Sequence, residues 1–168
     1  MIGALREPGP GDDLVQRPLF KDRPIILGRA EHPLAKRPNP TIAEMAAYPW
    51  AVAARGAPLR SQWERMFADA GLTPPRVPIE CGSVITIRGI LLDSDFLTLL
   101  SADQVAVELG AGWLVKICDA PEGLVRNIGV TTRADWSPTA LQRAFLLELE
   151  IVAKRSPGNA LSELSAGF

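Results

Sequence analysis

The sequence predicts an α/β domain in which helices cover a parallel sheet. Three observations predict it. Between residues 50 and 109 apolar runs of strand length alternate with segments of helical apolar spacing, and glycine or serine stands at the junctions. Strand, turn and helix repeating at this length imply right-handed crossovers between parallel strands.

Taken in order, Met1 to Leu5 reads as a short buried strand with nothing before it to place it in a sheet. Leu14 to Phe20 is extended, Lys21-Asp22-Arg23 should turn the chain, and Pro24 to Gly28 forms a second apolar strand. A proline-rich loop over residues 31 to 40 precedes a short helix from 42 to 47. Thr41 would cap it, with Glu44 at the capping-box spacing. Trp50 to Ala54 reads as a strand, followed by a helix from Leu59 to about Ala70. Leu59, Trp63, Met66, Phe67 and Ala70 draw one apolar stripe on that helix, while Arg60, Gln62, Glu64, Arg65 and Asp69 should face water. The pattern repeats with a strand from Arg76 to Cys81, the turn Gly82-Ser83 and a helix from Val84 to Leu92, in which Val84, Ile87 and Leu91 share a face. Phe96 to Leu100 is the next strand, and a short helix from Ser101 runs through Leu109. Trp113 to Cys118 suits an edge strand, and Leu124 to Arg133 a long one. Ser137 and Pro138 would open a last helix to about Arg155, whose apolar residues are spread too widely for one contact. From Ser156 no period is visible, which suggests a mobile tail.

Composition narrows the function. With 47% apolar and 22% charged residues in 168, the chain can bury a real core. Lys and Arg total 18 against 19 for Asp and Glu, so a net charge of −1 leaves no broad basic surface for nucleic acid or anionic membrane. Apolar runs such as Ile90 to Leu92 and Phe145 to Leu147 fall far below the roughly 20 residues needed to span a bilayer. No secretion signal is visible in the first twenty residues, so the cytoplasm is the expected compartment, where Cys81 and Cys118 would stay as thiols packed in the core.

Enzyme chemistry finds little foothold. His32, the single histidine, has no local nucleophile or orienting acid and reads as a turn residue. Cys81 could be a thiolate at a helix start, yet a cysteine ending an apolar strand is more often packing. Asp93-Ser94-Asp95 lacks the oxygen series of a cation loop and reads as a solvated turn. Walker, dinucleotide, nucleophile-elbow and Cys-x-x-Cys motifs are missing, and Trp50, Trp63, Trp113 and Trp136 read as packing. Neither a cofactor nor a metal is expected. What remains is a pair of strand-to-helix turns, Gly56-Ala57-Pro58-Leu59 and Gly82-Ser83-Val84, with Ser101 ending a third strand. Such turns lie beyond the carboxyl ends of parallel strands, and their free amides suit a small anionic or polar ligand. The alternative is that Ser83 merely caps its helix and Gly56 merely turns the chain.

The order of residues carries a further signal. Pro18-Leu19-Phe20 with Asp22, Ile26-Leu27, His32-Pro33-Leu34-Ala35, Tyr48-Pro49-Trp50, Gly56 and Arg60, Phe67 with Gly71 and Pro74, then Glu80 and Ser83 form an ordered series. It continues through Leu99-Leu100-Ser101, Gly112-Trp113-Leu114 and Ile128-Gly129. Over roughly residues 1 to 155 the series resembles the effector-binding domain of LysR-type transcriptional regulators.

That resemblance implies a periplasmic-binding-protein-like α/β fold, with two subdomains joined by two crossing strands and an effector in the cleft. Residues 24 to 127 would form a complete second subdomain. Residues 1 to 23 would form part of the first, 128 to 155 its return strand and last helix, and 156 to 168 a flexible tail. The DNA-binding winged helix-turn-helix would be missing, so DNA is a partner only of the longer protein. Carried over, Gly56, Ala57 and Pro58 match the effector-facing loop, Gly82, Ser83 and Val84 the helix start that touches the ligand, and Leu100 and Ser101 the cleft-lining strand end. Pro58 replaces a hydroxyl residue of some relatives, and Asp93-Ser94-Asp95-Phe96 resembles the branch of sugar-related regulators. The implied function is ligand sensing by a non-enzymatic cytoplasmic module, with a carboxylate or sugar-like effector and a homo-oligomeric, dimeric assembly. The competing reading is half of a solute-binding protein, or a small-acid enzyme of the same fold. An incomplete first sheet would leave Met1 to Leu5 and the last helix exposed and prone to association.

Overall fold

The structure is a computed structural model that describes residues 1–5, 9, 11–121 and 123–154. In chain order its elements are β1 (Ile2–Ala4), β2 (Leu14–Asp22), β3 (Pro24–Arg29), α1 (Ile42–Ala46), β4 (Ala51–Val52), α2 (Pro58–Asp69), β5 (Ile79–Glu80), α3 (Val84–Leu92) and β6 (Thr98–Ser101). A 3-10 turn over Ala102–Val105, α4 (Ala106–Gly110), β7 (Leu114–Asp119), β8 (Arg126–Arg133) and α5 (Ala140–Ala153) follow. The chain divides into two compact units: Met1–Arg23 with the chain from Val125 onward, and Pro24–Leu124.

The Pro24–Leu124 unit is built on one sheet with a core on each face. β4 and β5 pair in parallel, with Ala51 opposite Ile79 and Val52 opposite Glu80. A parallel bridge between Trp50 and Leu97 joins β4 to the strand leading into β6. β3 then pairs antiparallel with both β6 and β7. The expected all-parallel sheet is therefore mixed. The strand and helix series covers only β4, β5 and β6; the turn and α4 carry the chain from β6 to β7, and β3 fills the slot between them running the opposite way.

Period-two alternation assigns each strand residue to a face. Ile26, Trp50, Val52, Leu97, Leu99 and Ile117 join Met45, Trp63, Met66 and Phe67 in one cluster. Ile25, Leu27, Ala51, Leu100 and Leu114 join Ile87, Leu91 and Val105 in the other. Trp50, Trp63 and Phe67 meet edge-on, with ring centroids 5.0 to 5.7 Å apart, and the Trp50 indole donates to the Met45 carbonyl at 3.0 Å.

Local signals bear out several elements. Thr41 caps α1 in a capping box with Glu44, and Ser83 caps α3. Other expectations are corrected. The strand expected over Arg76 to Cys81 shrinks to two residues, because Pro74, Pro75 and Pro78 have no N–H to give a ladder. Lys21 and Asp22 continue β2 instead of turning, held by the registers Lys21 to Asn127 and Asp22 to Arg126. Arg60 does not face water: it is buried, for reasons given below. Trp113 is 56% exposed, so it is not packing.

The other unit is a three-stranded antiparallel sheet in the order β1, β8, β2, with α5 beside it. Arg126 and Asp22, both largely buried, form a charge-assisted pair across β8 and β2. Helix α5 is capped by Thr139, whose hydroxyl accepts from the Gln142 amide while Gln142 Oε1 accepts from the Thr139 amide. Ser137 was the expected cap, but Ala140 stands three residues after it and cannot complete the box. Met1, Ile2, Leu141, Phe145 and Leu147 are all exposed. The tail expected to be mobile lies outside the described residues.

Candidate functional site

The parallel strands β5, β4 and β6 run side by side, so their carboxyl ends come to one edge of the sheet. Beyond that edge stand the three segments singled out from the sequence. The corner Gly56-Ala57-Pro58 follows β4. Gly56 has φ +82°, a left-handed conformation open to glycine, and a Cβ there would meet nothing within 4 Å. Its need is therefore conformational. Ala57 is the extended N-cap of α2 and offers no side-chain acceptor, while Pro58 occupies the first helical turn, where its missing N–H costs nothing.

The second corner follows β5. Ser83 is extended (φ −87°, ψ 112°), and its hydroxyl accepts from the Thr86 amide at 3.4 Å. Gly82 and Ser83 are exposed and Val84 half-buried. The Cys81 amide donates to the Val52 carbonyl at 2.8 Å, which ties the two strand ends together. At the third segment Ser101 is buried, and its amide donates to Gln104 Oε1 at 3.4 Å. Leu100, expected to line the cleft, instead turns its side chain into the core with Ile25, Ile87 and Val105 and pairs with Ile25 in the sheet.

A pair missed by the sequence reading sits behind these corners. Arg60, in the first turn of α2, bonds Glu64 Oε1 through Nε at 2.7 Å and Glu80 Oε1 through Nη1 at 3.0 Å. Nη1 also reaches the Ala53 carbonyl at 3.5 Å, and Cζ lies 5.1 Å from the Trp63 ring centroid. The i, i+4 spacing of Arg60 and Glu64 was visible in sequence, whereas Glu80 is brought in by the β4–β5 register.

The remaining candidates are structural. His32 is buried, its Nδ1 accepts from the Leu34 amide at 3.0 Å, and Nε2 lies 3.3 Å from the Asp95 carbonyl. Its ring packs 4.6 Å from that of Tyr48. Burial lowers its pKa below 6.5, only partly offset by the Asp95 carbonyl and carboxylate. Cys118 lies against Met45 Sδ at 3.7 Å, and burial pushes its thiol up to about 11. Both cysteines are half-buried at the margins of the two cores. Asp95 accepts from Arg29 Nε at 2.9 Å instead of standing free in solvent. Among the described residues no group of three or more His, Cys, Asp or Glu could hold a metal ion, and no helix is long and apolar enough to cross a membrane.

Parallel strands ending together beneath helix starts are an arrangement shared with α/β ligand-binding domains. Residues 2–152 match the LysR substrate binding domain, and the chain belongs to that family. It is 35% identical over 134 residues to the HTH-type transcriptional regulator GalR of Pseudomonas putida, covering 80% of this chain and 34% of that protein. It is 28% identical over 167 residues to the HTH-type transcriptional regulator BbuR of Bordetella bronchiseptica, covering 94% of this chain and 50% of that one. The chain thus spans a third to a half of the length of these curated relatives. The fold is similar to the regulatory domain of Synechocystis CcmR in complex with 2-PG, with TM-score 0.71, 22% identity, and 89% and 72% of the two chains covered. It is also similar to the effector binding domain of QuiR in complex with shikimate, with TM-score 0.71, 16% identity, and 90% and 70% covered. These likenesses carry the periplasmic-binding-protein-like α/β fold expected from the sequence.

Proposed function

We propose that this chain senses a small molecule for a LysR-type transcriptional regulator and performs no chemistry on it. The observation that carries the reading is the alignment of three parallel strand ends at one sheet edge, each followed by a helical start. Gly56, Ala57 and Pro58 would present backbone to the effector, Gly82, Ser83 and Val84 amides and one hydroxyl, and Leu100 and Ser101 the adjoining backbone. Amides at helix starts favour anionic or polar groups, so a carboxylate or a sugar-like compound is the class proposed. His32 is no candidate base, since both ring nitrogens are engaged and the ring is buried. Effector binding would act by favouring one arrangement of the regulator over another. DNA contact would belong to parts of the regulator outside this chain, and the regulator would work in the cytoplasm.

Amide chemical-shift mapping of the full chain, titrated with 2-PG, shikimate and a neutral hexose, tests this. Saturable shifts centred on residues 56, 57, 82–84 and 101 are expected from at least one compound. Saturable shifts elsewhere, or none with any of the three, would overturn the site.

Self-association belongs to the same proposal. The exposed Ile2, Val15, Leu141 and Leu147 form apolar surface on the sheet and α5. Light scattering should show mass rising with concentration, and a monomer throughout would refute it.

A further inference from the structure

We propose that Arg60 is a positioning residue that brackets the two ligand-facing corners, holding the Gly56 turn and the Gly82-Ser83 turn at a fixed spacing. The proposal rests on the effector reading of those corners. Arg60 is placed to do this because one guanidinium reaches the end of each strand that leads into a corner. Nη1 contacts the Ala53 carbonyl, three residues before Gly56, and the Glu80 carboxylate, two residues before Gly82. Nε holds Glu64 one turn along α2, and the guanidinium lies over Trp63 at the centre of the aromatic cluster. The bracket is thus anchored in the rigid core instead of in the loops it orders.

Burial raises its worth. The Arg60 side chain is 6% exposed, so its donors are shielded while Glu80 and Glu64 stay partly open to water, and a planar guanidinium can serve several acceptors at fixed angles where an ammonium cannot. The same contact handles charge. Glu80 would otherwise present a bare carboxylate two residues from amides suited to an anion; Arg60, with Arg55 Nε 3.8 Å away, neutralises it. Removing Arg60 would loosen the corners and return that negative charge to them.

Hydrogen exchange of the ligand-free full chain isolates the bracket from ligand binding. The corner reporters are the amides of Cys81, bonded to Val52 O, and Ser61, bonded to Ala57 O; the reference amides are Ala51 and Leu97, farther back in the same sheet. In Arg60→Gln and in Glu80→Ala, exchange at Cys81 and Ser61 should rise about tenfold relative to Ala51 and Leu97, as loss of a charge-assisted bond confined to the corners requires. The double variant should be no worse than Arg60→Gln alone, the mark of coupled residues. Glu80 is 39% exposed, so Glu80→Ala reports on the bracket even where Arg60→Gln does not fold. Corner and reference amides changing in step, or additive effects in the double variant, would overturn the proposal. If unaltered protein takes up neither 2-PG nor shikimate while the exchange pattern holds, the effector reading fails and the bracket stands.

Discussion

Ser83 has one role that is seen, capping α3, and one that is proposed, contact with an effector, and substitutions can separate them. Ser83→Ala removes the hydroxyl that accepts the Thr86 amide proton. Loss of an N-cap acceptor usually costs about 0.5 to 2 kcal/mol, and the 3.4 Å separation seen here is long for an N–H···O bond, so about 0.5 to 1 kcal/mol is expected. Ser83→Asp keeps a cap acceptor of equal quality. It also adds a carboxylate to a first turn that has no acidic residue, and the helix dipole should repay this with about 0.3 to 1 kcal/mol. Ser83→Asp should therefore fold at least as stably as the unaltered chain.

Binding should move the other way. An Asp carboxylate about 4 Å from a bound anion would feel up to about 4 kcal/mol of repulsion at an effective dielectric of about 20. Ser83 is exposed, so solvent and salt reduce this to about 1 to 2 kcal/mol, or about a tenfold loss of affinity. Urea denaturation and calorimetric titration with 2-PG and a neutral hexose read both quantities on the same samples. The expected result is Ala less stable than Ser, Asp no less stable, and Asp weakened toward the anion but not toward the hexose. Unchanged anion affinity in stable Ser83→Asp would remove Ser83 from the site; unchanged stability in Ser83→Ala would refute the cap.

Gly129→Ala places a Cβ 2.3 Å from the Arg17 carbonyl oxygen and 2.9 Å from Leu5 Cδ1, so β8 must shift between its two neighbours. A loss of about 1 to 3 kcal/mol by urea denaturation is expected. Gly3, paired with Gly129 across the sheet, would meet nothing within 4 Å, and Gly3→Ala should cost nothing or gain up to about 1 kcal/mol; equal effects at both sites would contradict the register. His32 has a folded pKa below 6.5, so the unfolded chain takes up its proton first as pH falls. Its contribution is fully present above about pH 6.5 and is lost as pH falls through that value toward the folded pKa. Thermal melts should show this slope in the unaltered chain and a shallower one in His32→Asn. Cys118, with its thiol near 11 against an ordinary 9.0, should alkylate slowly at pH 8 in a Cys81→Ser background and faster toward pH 11; a rate already at its plateau by pH 9 would refute the burial argument.

What the sequence made legible is what local chemistry decides. Thr41 with Glu44, and Ser83 before an apolar run, announce helix starts within four residues, and both caps are present. The apolar run of Pro24 to Gly28 was legible as a strand, and the structure places Ile26 in one core and Ile25 and Leu27 in the other. Pairing partners set by distant residues were not legible. Nothing near Pro24 to Gly28 tells that β3 runs against both neighbours, because that direction is decided by where β6 and β7 lie in the sheet.

The site divides along the same line. Glycine and serine at strand ends marked the two corners, since left-handed backbone and an N-cap each demand particular residues. The helical stripe put Arg60 outside the apolar face and so in water. A helical wheel gives the direction of a side chain, however, and not what awaits it there. At Arg60 the answer is a carboxylate twenty residues on, a backbone carbonyl seven residues back and an indole face, which together give partners to a guanidinium removed from water. An arginine in the first turn of a helix whose preceding loop carries glycine, with glutamates both four residues on and at the end of the adjoining strand, is thus a combination that sequence can propose and only strand register can complete.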